Sequence, residues 1–573
     1  MLTSMSKPGG RAKGPAQPTE PQVDALRQAA LAALTSGDLA ATARSARQVL
    51  DLLPGDHRAL HLLGLVDFLS GNPAGAEAWL RRAIEGCHDV AAYHDHLGTA
   101  LTAQGRWRDA TLAYRQAVHL SPSSADIHYN LGSALLNVGE PQGAASALET
   151  SVALGGSAAV HANLGTAYLL LRRVDHAILA ISRAVEMQPD SLPFRFNLAN
   201  ALREASRHSE AVHQYDEALA RSPIRGVRPP HAAPGQRLPD PGAIRELADV
   251  HYNRALALFF SGRIAEAWEG YEWRWHKSGK VPTRRPFAQP WWNGEDLSDQ
   301  GILVWGEQGV GDEIELAILV PELTTRFRQV VLECDPRLVT LFARSFAGVH
   351  VVPREALPPP ELGAHDLQWQ APLGRVAKLL RPTLEAFAGH RTLLHADERQ
   401  VIAWRQRLST LGDAPRVGVA WRSKDMSEDR LPYYSSLEQW QQVFAVPGIV
   451  FVNLQYDECS AELAQAETRF GTRIHAFPDL DLMNDLDGAA ALTAALDLII
   501  TPPTTVAVMA GVLGRPTWQL TKKNGCWETL GTDALPFLSS IRIFNRDWNE
   551  GWEAVLARVA QALRSWRPDR AKP

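Results

Sequence analysis

Residues 301–314 read Gly-Ile-Leu-Val-Trp-Gly-Glu-Gln-Gly-Val-Gly-Asp-Glu-Ile, and they predict a strand, a tight loop and the start of a helix. The apolar run from Ile302 to Trp305 is typical of a buried strand, and the segment from Glu313 to Val320 has apolar residues at helical spacing. Three glycines separate the two. Open α/β sheets bind ligands outside the carboxyl end of such a strand. We therefore expect the chemistry of this protein at the 306–312 loop.

The composition of this loop favours a general base over a phosphate site. Ile314 stands where a dinucleotide-binding fingerprint has its third glycine. The acidic side chains of Glu307, Asp312 and Glu313 would repel an anion at the helix start. Two interpretations of Asp312 remain open: an N-cap whose capping box is completed by Glu315, or a catalytic carboxylate.

Size and composition exclude several classes of protein. The 573 residues provide room for several domains. A net charge of -5, from 58 basic and 63 acidic residues, argues against a nucleic-acid partner. Four scattered cysteines form no C-x-x-C pair and predict neither a zinc site nor a disulfide framework. Residues 1–20 predict a disordered tail and not a secretory signal, and no run of about 18 apolar residues occurs. We expect a cytoplasmic protein without a membrane partner.

Residues 21–280 carry an internal repeat of about 34 residues. Glycines mark equivalent positions in four units, at Gly64, Gly98, Gly132 and Gly165. A second set marks the turns, at Gly71, Gly105 and Gly139. This pattern predicts tetratricopeptide units, each a helix, a turn and a second helix. Six units precede a Pro-rich insertion at residues 224–242, after which one last unit follows.

Asparagine recurs at one position in the first helix of four units: Asn130, Asn163, Asn197 and Asn253. Asparagine is only a middling helix former, so its recurrence needs a reason. Carboxamides on the concave face of a superhelix can bind an extended peptide backbone without reading its sequence. The alternative is that these side chains bond neighbouring helices to each other. Either way, a repeat array predicts a protein partner.

The rest of the chain alternates strands and helices, which predicts parallel sheets. Further strands are expected at residues 330–334, 349–352, 417–421, 450–454, 473–476, 498–501 and 516–520. These segments divide into two Rossmann-like halves, residues 281–410 and 411–573.

Polar residues after strands of the second half predict its binding site. Thr504 and Thr505 begin a helix, where their hydroxyls and backbone N–H groups can bind a phosphate or simply cap the helix. The complete predicted donor-binding set is Arg422, Lys424, Arg430, Gln455, Thr504, Thr505 and Lys522. The D-x-D pairs at residues 479–481 and 485–487 imitate a metal motif, but we assign them capping and surface roles and predict no metal.

The 306–312 loop resembles the Gly-Glu-Gln-Gly-Leu-Gly-Asp motif of bacterial glycosyltransferases in which tetratricopeptide repeats precede a GT-B fold. Residues 418–423, 451–456 and 496–518 extend the resemblance. It implies an α-solenoid followed by an α/β GT-B fold, a nucleotide-sugar co-substrate and no other cofactor. It also implies that Asp312 is the catalytic base, as proposed for related heptosyltransferases, with Gly309 and Gly311 in the acceptor loop. The asparagines resemble the peptide-binding ladder of the protein O-GlcNAc transferases.

These features together predict an inverting, metal-independent transferase that moves a sugar to Ser or Thr of a protein held by the repeats. The likeness to flagellin glycosyltransferases implies flagellin as acceptor and a nonulosonic acid as the donor sugar. Pro503 and Val508 depart from the family pattern, because relatives often carry Asp and His in this window. Two alternatives therefore stay open: a non-catalytic binding scaffold with a degenerate transferase fold, and a glycosyltransferase that acts on lipid or polysaccharide.

Overall fold

The computed structural model describes residues 20–222, 241–279, 281–282, 284–356, 362–363, 365–387, 394–427 and 430–568. Residues 1–19 of the predicted tail and most of the Pro-rich insertion lie outside these residues, whereas Glu20 begins the first helix. The chain forms two compact units that divide between Pro189 and Asp190. We call them the repeat unit (20–189) and the mixed unit (190–568). The repeat pattern of the sequence continues to about residue 280. The last two helix pairs of the repeats nevertheless belong to the same compact unit as the sheets.

The repeat unit consists of helices joined by short turns. They are α1 (Glu20–Thr35), α2 (Leu39–Leu52), α3 (His57–Leu69), α4 (Pro73–Gly86), α5 (Ala91–Ala103), α6 (Trp107–Leu120), α7 (Ala125–Val138), α8 (Pro141–Ala153), α9 (Ala158–Leu170) and α10 (Val174–Met187). Each odd-numbered helix packs on the helix that follows it. The predicted helix-turn-helix units are confirmed.

One glycine in the first helix of a pair allows the second helix to approach closely. A methyl group added at Gly165 would lie 2.2 Å from Cγ1 of Ile181. The three preceding pairs repeat the contact, with Gly64 on Leu80, Gly98 on Tyr114 and Gly132 on Leu148. The turn glycines have another role, since Gly139 ends α7 at φ 80°, in the left-handed region that disfavours a side chain. Helix packing therefore requires the first set of glycines, and backbone conformation requires the turn glycines.

The mixed unit begins with two more helix pairs, α11 (Leu192–Glu204) with α12 (His208–Arg221), and α13 (Pro241–Phe260) with α14 (Ile264–Tyr271). A 3₁₀ turn, Glu272–Trp275, ends the second pair. The described residues therefore hold the six predicted units and the last one. Among all described helices, none is both long and apolar enough to cross a membrane.

The first sheet is parallel and has the strand order β3-β2-β1-β4. Its strands are β1 (Leu297–Trp305), β2 (Phe327–Cys334), β3 (Val349–Pro353) and β4 (Trp369–Pro372). The helices around it are α15 (Val310–Ala317), α16 (Val339–Ser345) and α17 (Leu373–Leu380), with 3₁₀ turns at Val320–Thr325, Pro336–Leu338 and Glu385–Phe387. The apolar run quoted first is the buried end of β1.

The second sheet is also parallel, with the order β10-β9-β8-β5-β6-β7. Its strands are β5 (Arg416–Val419), β6 (Val450–Asn453), β7 (Ile474–His475), β8 (Leu498–Thr501), β9 (Thr517–Lys522) and β10 (Ile541–Arg546). Its helices are α18 (Glu398–Ser409), α19 (Gln441–Phe444), α20 (Ser460–Phe470), α21 (Leu486–Ala494), α22 (Thr505–Val512) and α23 (Trp552–Ser565). Three 3₁₀ turns lie at Leu431–Tyr433, Leu437–Trp440 and Trp527–Thr529.

Strand order places a ligand site in each sheet. Numbered within its own half, the second sheet has the Rossmann order 3-2-1-4-5-6, and the first sheet has the order 3-2-1-4. The direction of succession reverses between the strands numbered 1 and 4, and α/β proteins bind ligands at that point. The loops that follow β1, β5 and β8 are therefore the expected site. The two predicted parallel sheets are confirmed, and β4 and β10 are additional strands.

Candidate functional site

A cavity of about 290 Å³ lies where the loops of the two sheets meet. We call it the cleft cavity. Its lining includes residues 309–312 after β1, Ser423 and Asp425 after β5, and residues 503–505 after β8. The helix starts that follow β1 and β8 approach closely, because a methyl group added at Gly311 would lie 3.5 Å from Oγ1 of Thr505. The structure thus brings together Gly309, Gly311, Asp312, Thr504 and Thr505 on one cavity wall, and their roles stay predictions.

Asp312 lines the cleft cavity and also fixes the start of α15. The helix begins at Val310 with Gly309 as its N-cap, so Asp312 lies in the first turn. Its Oδ2 accepts a hydrogen bond from the Gly309 N–H at 3.0 Å. The interpretation of Asp312 as an N-cap completed by Glu315 is wrong, because the helix begins two residues earlier. Asp312 combines a helix-start bond with a place on the cavity wall.

Two further carboxyl groups, Glu315 and Glu528, line the same cavity. Burial, together with the charge of Asp312, raises the pKa of Glu528 to about 7. Burial also raises the pKa of Glu315 well above its ordinary value, with added repulsion from Glu528 and Asp312. Both pKa shifts favour the protonated form of these carboxyl groups near neutral pH. Sequence reasoning did not find Glu528, although it follows β9 at the same sheet edge as Lys522.

Arg430 is the predicted donor-binding cation that the structure places on the cavity wall. Burial raises the pKa of Glu528, which lines the same cavity, and the positive charge of Arg430 opposes that rise. Tyr433 and Tyr434 follow it on the lining. The described lining residues include one basic side chain, Arg430, and four acidic side chains. The cavity wall is therefore predominantly acidic.

Arg422 and Gln455 were predicted to bind the donor, and the structure places neither on the cavity lining. The Arg422 guanidinium forms ion pairs with Asp457 and Glu462. Gln455 is 2 % exposed, and its Oε1 accepts from the backbone N–H groups of Trp421 and Arg422 at 3.1 and 3.2 Å. These bonds shape the ends of β5 and β6. The polar groups of both residues have partners within the protein, and their role in donor binding stays a prediction.

Lys424 and Lys522 also lie away from the lining of the cleft cavity. The Lys522 ammonium is 3.3 Å from a carboxylate oxygen of Glu204 and 5.0 Å from the centre of the Tyr433 ring. The Lys424 ammonium is exposed, 3.8 Å from the sulfur of Met483. Lys522 therefore joins the second sheet to the end of α11, and its assignment to the donor stays a prediction. Lys424 stays near a second cavity.

Thr504 and Thr505 begin α22 and line the cleft cavity. Thr504 is the N-cap residue, yet its hydroxyl forms no capping bond and lies 3.4 Å from the hydroxyl of Thr501. Helix capping by the Thr504 side chain is therefore not its role here. Both threonines present their hydroxyls at the positive end of a helix dipole, where an anion is stabilised.

A second cavity of about 230 Å³ shares Val310, Tyr456 and Thr505 with the first. We call it the apolar cavity, because most of its other lining residues are apolar. These residues are Leu454, Leu482, Met483, Leu486, Ala489, Val506 and Met509. Shared walls make the two cavities neighbours at the edge of the second sheet.

The last helix pair of the repeats anchors the loops that form the cleft. Gln308 donates a hydrogen bond to the Tyr271 hydroxyl at 2.8 Å. The ring of Trp527 packs on Phe259 and Tyr271, with centroids 4.6 and 5.5 Å apart. Tyr271 therefore contacts both the loop before Asp312 and the turn that carries Glu528.

A buried network of ion pairs also fixes the loop that follows β1. Arg274 donates to Glu272 at 3.0 Å and to Glu307 at 3.1 Å, and all three side chains are nearly inaccessible. Glu307 also accepts from the Gly374 N–H at 3.0 Å. Glu307, which the sequence grouped with the acidic loop, thus holds β1 against α17 and does not reach the cavity lining.

The four predicted peptide-binding asparagines are all half-buried. Asn130 donates to Asp95 at 2.9 Å, and Asn253 accepts from Arg203 at 3.0 Å. These two bonds join helices of neighbouring units, as the alternative interpretation expects. Asn163 and Asn197 form no side-chain hydrogen bond within the described part of the chain, so they stay candidates for peptide binding.

The acidic pairs at residues 479–487 have partners within the protein. Asp479 pairs with Arg407 at 2.6 Å, and Asp485 caps α21 by accepting from the Gly488 N–H at 2.8 Å. Across the described residues, no three His, Cys, Asp or Glu side chains are grouped closely enough to hold a metal ion.

Comparison with known proteins identifies the repeats. Family models described as "TPR repeat" and "Tetratricopeptide repeat" match residues 98–139 and residues 27–90, 131–191 and 162–225, respectively. The N-terminal region consists of tetratricopeptide repeats. Repeats of this type are protein-interaction modules.

One relative is similar along most of the chain. Protein FlbA of Caulobacter vibrioides (strain ATCC 19089 / CIP 103742 / CB 15) is 28% identical over 549 residues, which cover 94% of this chain and 83% of FlbA. Solved structures are similar to part of the chain. The crystal structure of MamA is 23% identical, covers 30% of this chain and 99% of MamA, and has a TM-score of 0.29. YrrB, "a TPR protein with an unusual peptide-binding site", is 20% identical over 34% of this chain and 89% of YrrB, with a TM-score of 0.27.

Proposed function

We propose that this protein is a protein O-glycosyltransferase that uses a nucleotide-sugar donor. One observation carries the proposal: Asp312 lies on the wall of a cavity at the switch points of two parallel sheets. The loop resemblance supports it from the sequence side. Transfer between two substrates needs a cavity that both can enter and a group that accepts a proton.

In the proposed reaction, a Ser or Thr hydroxyl of the acceptor attacks the anomeric carbon of the donor sugar. A carbon–oxygen bond forms while the bond to the donor phosphate breaks, and the hydroxyl proton passes to the Asp312 carboxylate. The departing phosphate takes the bonding electron pair and is stabilised by Arg430 and the start of α22 at Thr504 and Thr505. A single displacement inverts the anomeric configuration.

The apolar cavity is the proposed position of the nucleoside. It adjoins the start of α22, where the phosphate is placed, and its apolar walls suit the faces of an aromatic base. The proposed donor contacts are Arg430, Thr504 and Thr505, which line the cleft cavity, and Lys424, which lies close to Met483 of the apolar cavity.

The acceptor is proposed to be a protein held by the repeats. The likeness to flagellin glycosyltransferases makes flagellin the first candidate, with a nonulosonic acid as the sugar. Asn163 and Asn197 are the side chains proposed to contact its backbone, because Asn130 and Asn253 bond neighbouring helices. Reaction in the cytoplasm, where nucleotide sugars are made available, fits this proposal.

The test is the intact mass of candidate acceptors purified from cells with and without this gene. The gene is then returned as wild type, as Asp312→Asn or as Asp397→Asn. Asparagine can still accept the Gly309 N–H bond, so Asp312→Asn removes the charge and keeps the helix start. Asp397 makes the same type of bond at the start of α18, to Gln400 at 3.0 Å, and is the matched control. We expect the sugar mass to return with wild type and Asp397→Asn and to stay absent with Asp312→Asn.

A binding scaffold is the second candidate, because two side chains predicted to bind the donor, Arg422 and Gln455, are engaged within the protein. A scaffold would leave acceptor masses unchanged when the gene is removed. It would nevertheless co-purify with a partner through its repeats.

A further inference from the structure

The carboxyl group of Glu315 has an unusual environment. Glu315 is 8 % exposed, yet it lines the cleft cavity. No hydrogen bond or salt bridge links this carboxyl to any of the residues that the structure describes. A buried carboxyl without a partner costs several kcal/mol when it is charged. Such a group facing a cavity indicates that a ligand supplies the missing partner.

The charge around Glu315 indicates what the ligand brings. Asp312, Asp425 and Glu528 line the same cavity, against one described cation, Arg430. The wall also carries the thiol of Cys526, which is buried beside Glu528, and the phenol groups of Tyr433, Tyr434 and Tyr456. Four carboxyls and one guanidinium leave an excess of negative charge even when two carboxyls keep their protons. This excess attracts a positive group to the carboxyls.

We infer that the cleft cavity binds a protonated amine of its substrate at Glu315 and Glu528. The inference rests on the proposed function only in that the ligand is a substrate of this cleft. An ammonium group offers three N–H donors, enough for both carboxyls and a neighbouring acceptor. Two sources carry this chemistry: an amino group on the transferred sugar, or a lysine side chain near the acceptor hydroxyl.

A metal ion is the less suitable cation. Over the described residues, no group of three potential ligands is arranged to hold one, and this includes the cleft carboxyls. An ammonium group needs only hydrogen-bond distances to two carboxyls and tolerates looser geometry than a metal does. The geometry therefore favours an organic cation.

The experiment compares charged and neutral probes of nearly the same shape. Isothermal titration calorimetry measures the binding of methyl α-glucosaminide against methyl α-glucoside, and of N-acetyl-lysine amide against N-acetyl-norleucine amide. We expect at least one amine to bind at least tenfold more tightly than its neutral counterpart at pH 7. The amine that binds identifies the source. Binding should release protons to the buffer, because an ammonium group favours ionised carboxyls.

Variants assign the effect to the two carboxyls. Glu315→Gln and Glu528→Gln should each lower amine affinity about tenfold and reduce proton release, and either variant suffices if the other fails to fold. Glu398→Gln, at the exposed start of α18, is the control and should bind as wild type does. Equal affinity for charged and neutral probes, the absence of binding by all four, or displacement of the amine by 1 mM Mg²⁺ would overturn the inference. Amine binding without sugar transfer would contradict the proposed function alone.

Discussion

The stability of the mixed unit should depend on pH through Glu528. Its pKa is about 7 in the folded chain, against 4.5 for the ordinary side chain. Between these two values the folded chain holds a proton that the unfolded chain has lost. The free energy of unfolding therefore falls as the pH rises from 4.5 to 7 and stays low above 7. At about 1.4 kcal/mol per pH unit, the loss reaches about 3 kcal/mol.

Glu528→Gln removes the titrating group and keeps the shape of the side chain. We expect the variant to equal wild type in stability at pH 4 and to exceed it by about 2–3 kcal/mol at pH 8. Urea unfolding followed by tryptophan fluorescence measures this difference, because 15 of the 17 tryptophans lie at or after residue 268 and report on the mixed unit. Glu398→Gln provides the control. A constant difference between wild type and Glu528→Gln from pH 4 to pH 8 would refute the account of the acidic cavity.

Three other perturbations test the packing and the site. Gly165→Leu should lower the melting temperature of the repeats measured by circular dichroism, at a cost of about 1–3 kcal/mol, because an added methyl already lies 2.2 Å from the next helix. Gly55→Ala should leave the melting temperature unchanged, because a methyl group added at Gly55 meets no atom within 4 Å. Trp527→Ala should cost about 3 kcal/mol in urea unfolding through lost aromatic packing, and an unchanged midpoint would contradict the anchoring of this turn. Arg430→Gln should weaken nucleoside diphosphate binding about tenfold in calorimetry, whereas Arg399→Gln should not; equal affinities would remove Arg430 from the donor site.

The repeats and the sheets could be predicted because their signals are local and periodic. A glycine every 34 residues marks each close helix contact, and Gly165 shows why the position tolerates no side chain. Apolar runs such as Ile302 to Trp305 became buried strands in the expected order along the chain. The segment of β10 interrupts its apolar residues with Arg542, Asn545 and Arg546, and its strand was missed.

The candidate site could be predicted only in part, because partners far apart in sequence decide a side chain's role. The position of Asp312 followed from the strand, loop and helix around it. Arg422 and Gln455 lie after strand ends as expected. The guanidinium of Arg422 forms an ion pair with Asp457, and the side-chain amide of Gln455 accepts a hydrogen bond from the backbone after β5. Glu528 owes its place to Trp527 packing on the last repeat pair, a contact that no local pattern reveals.

Single-turnover transfer by purified enzyme tests the central proposal most directly. The unmodified acceptor comes from cells that lack the gene, and the nucleotide sugar is the one whose sugar mass that acceptor loses. We predict that wild type and Asp397→Asn transfer the sugar at the same rate, and that Asp312→Asn slows the chemical step by about 10²–10⁴-fold with little change in donor affinity. Transfer by Asp312→Asn at the wild-type rate would contradict the proposal that this carboxylate accepts the proton.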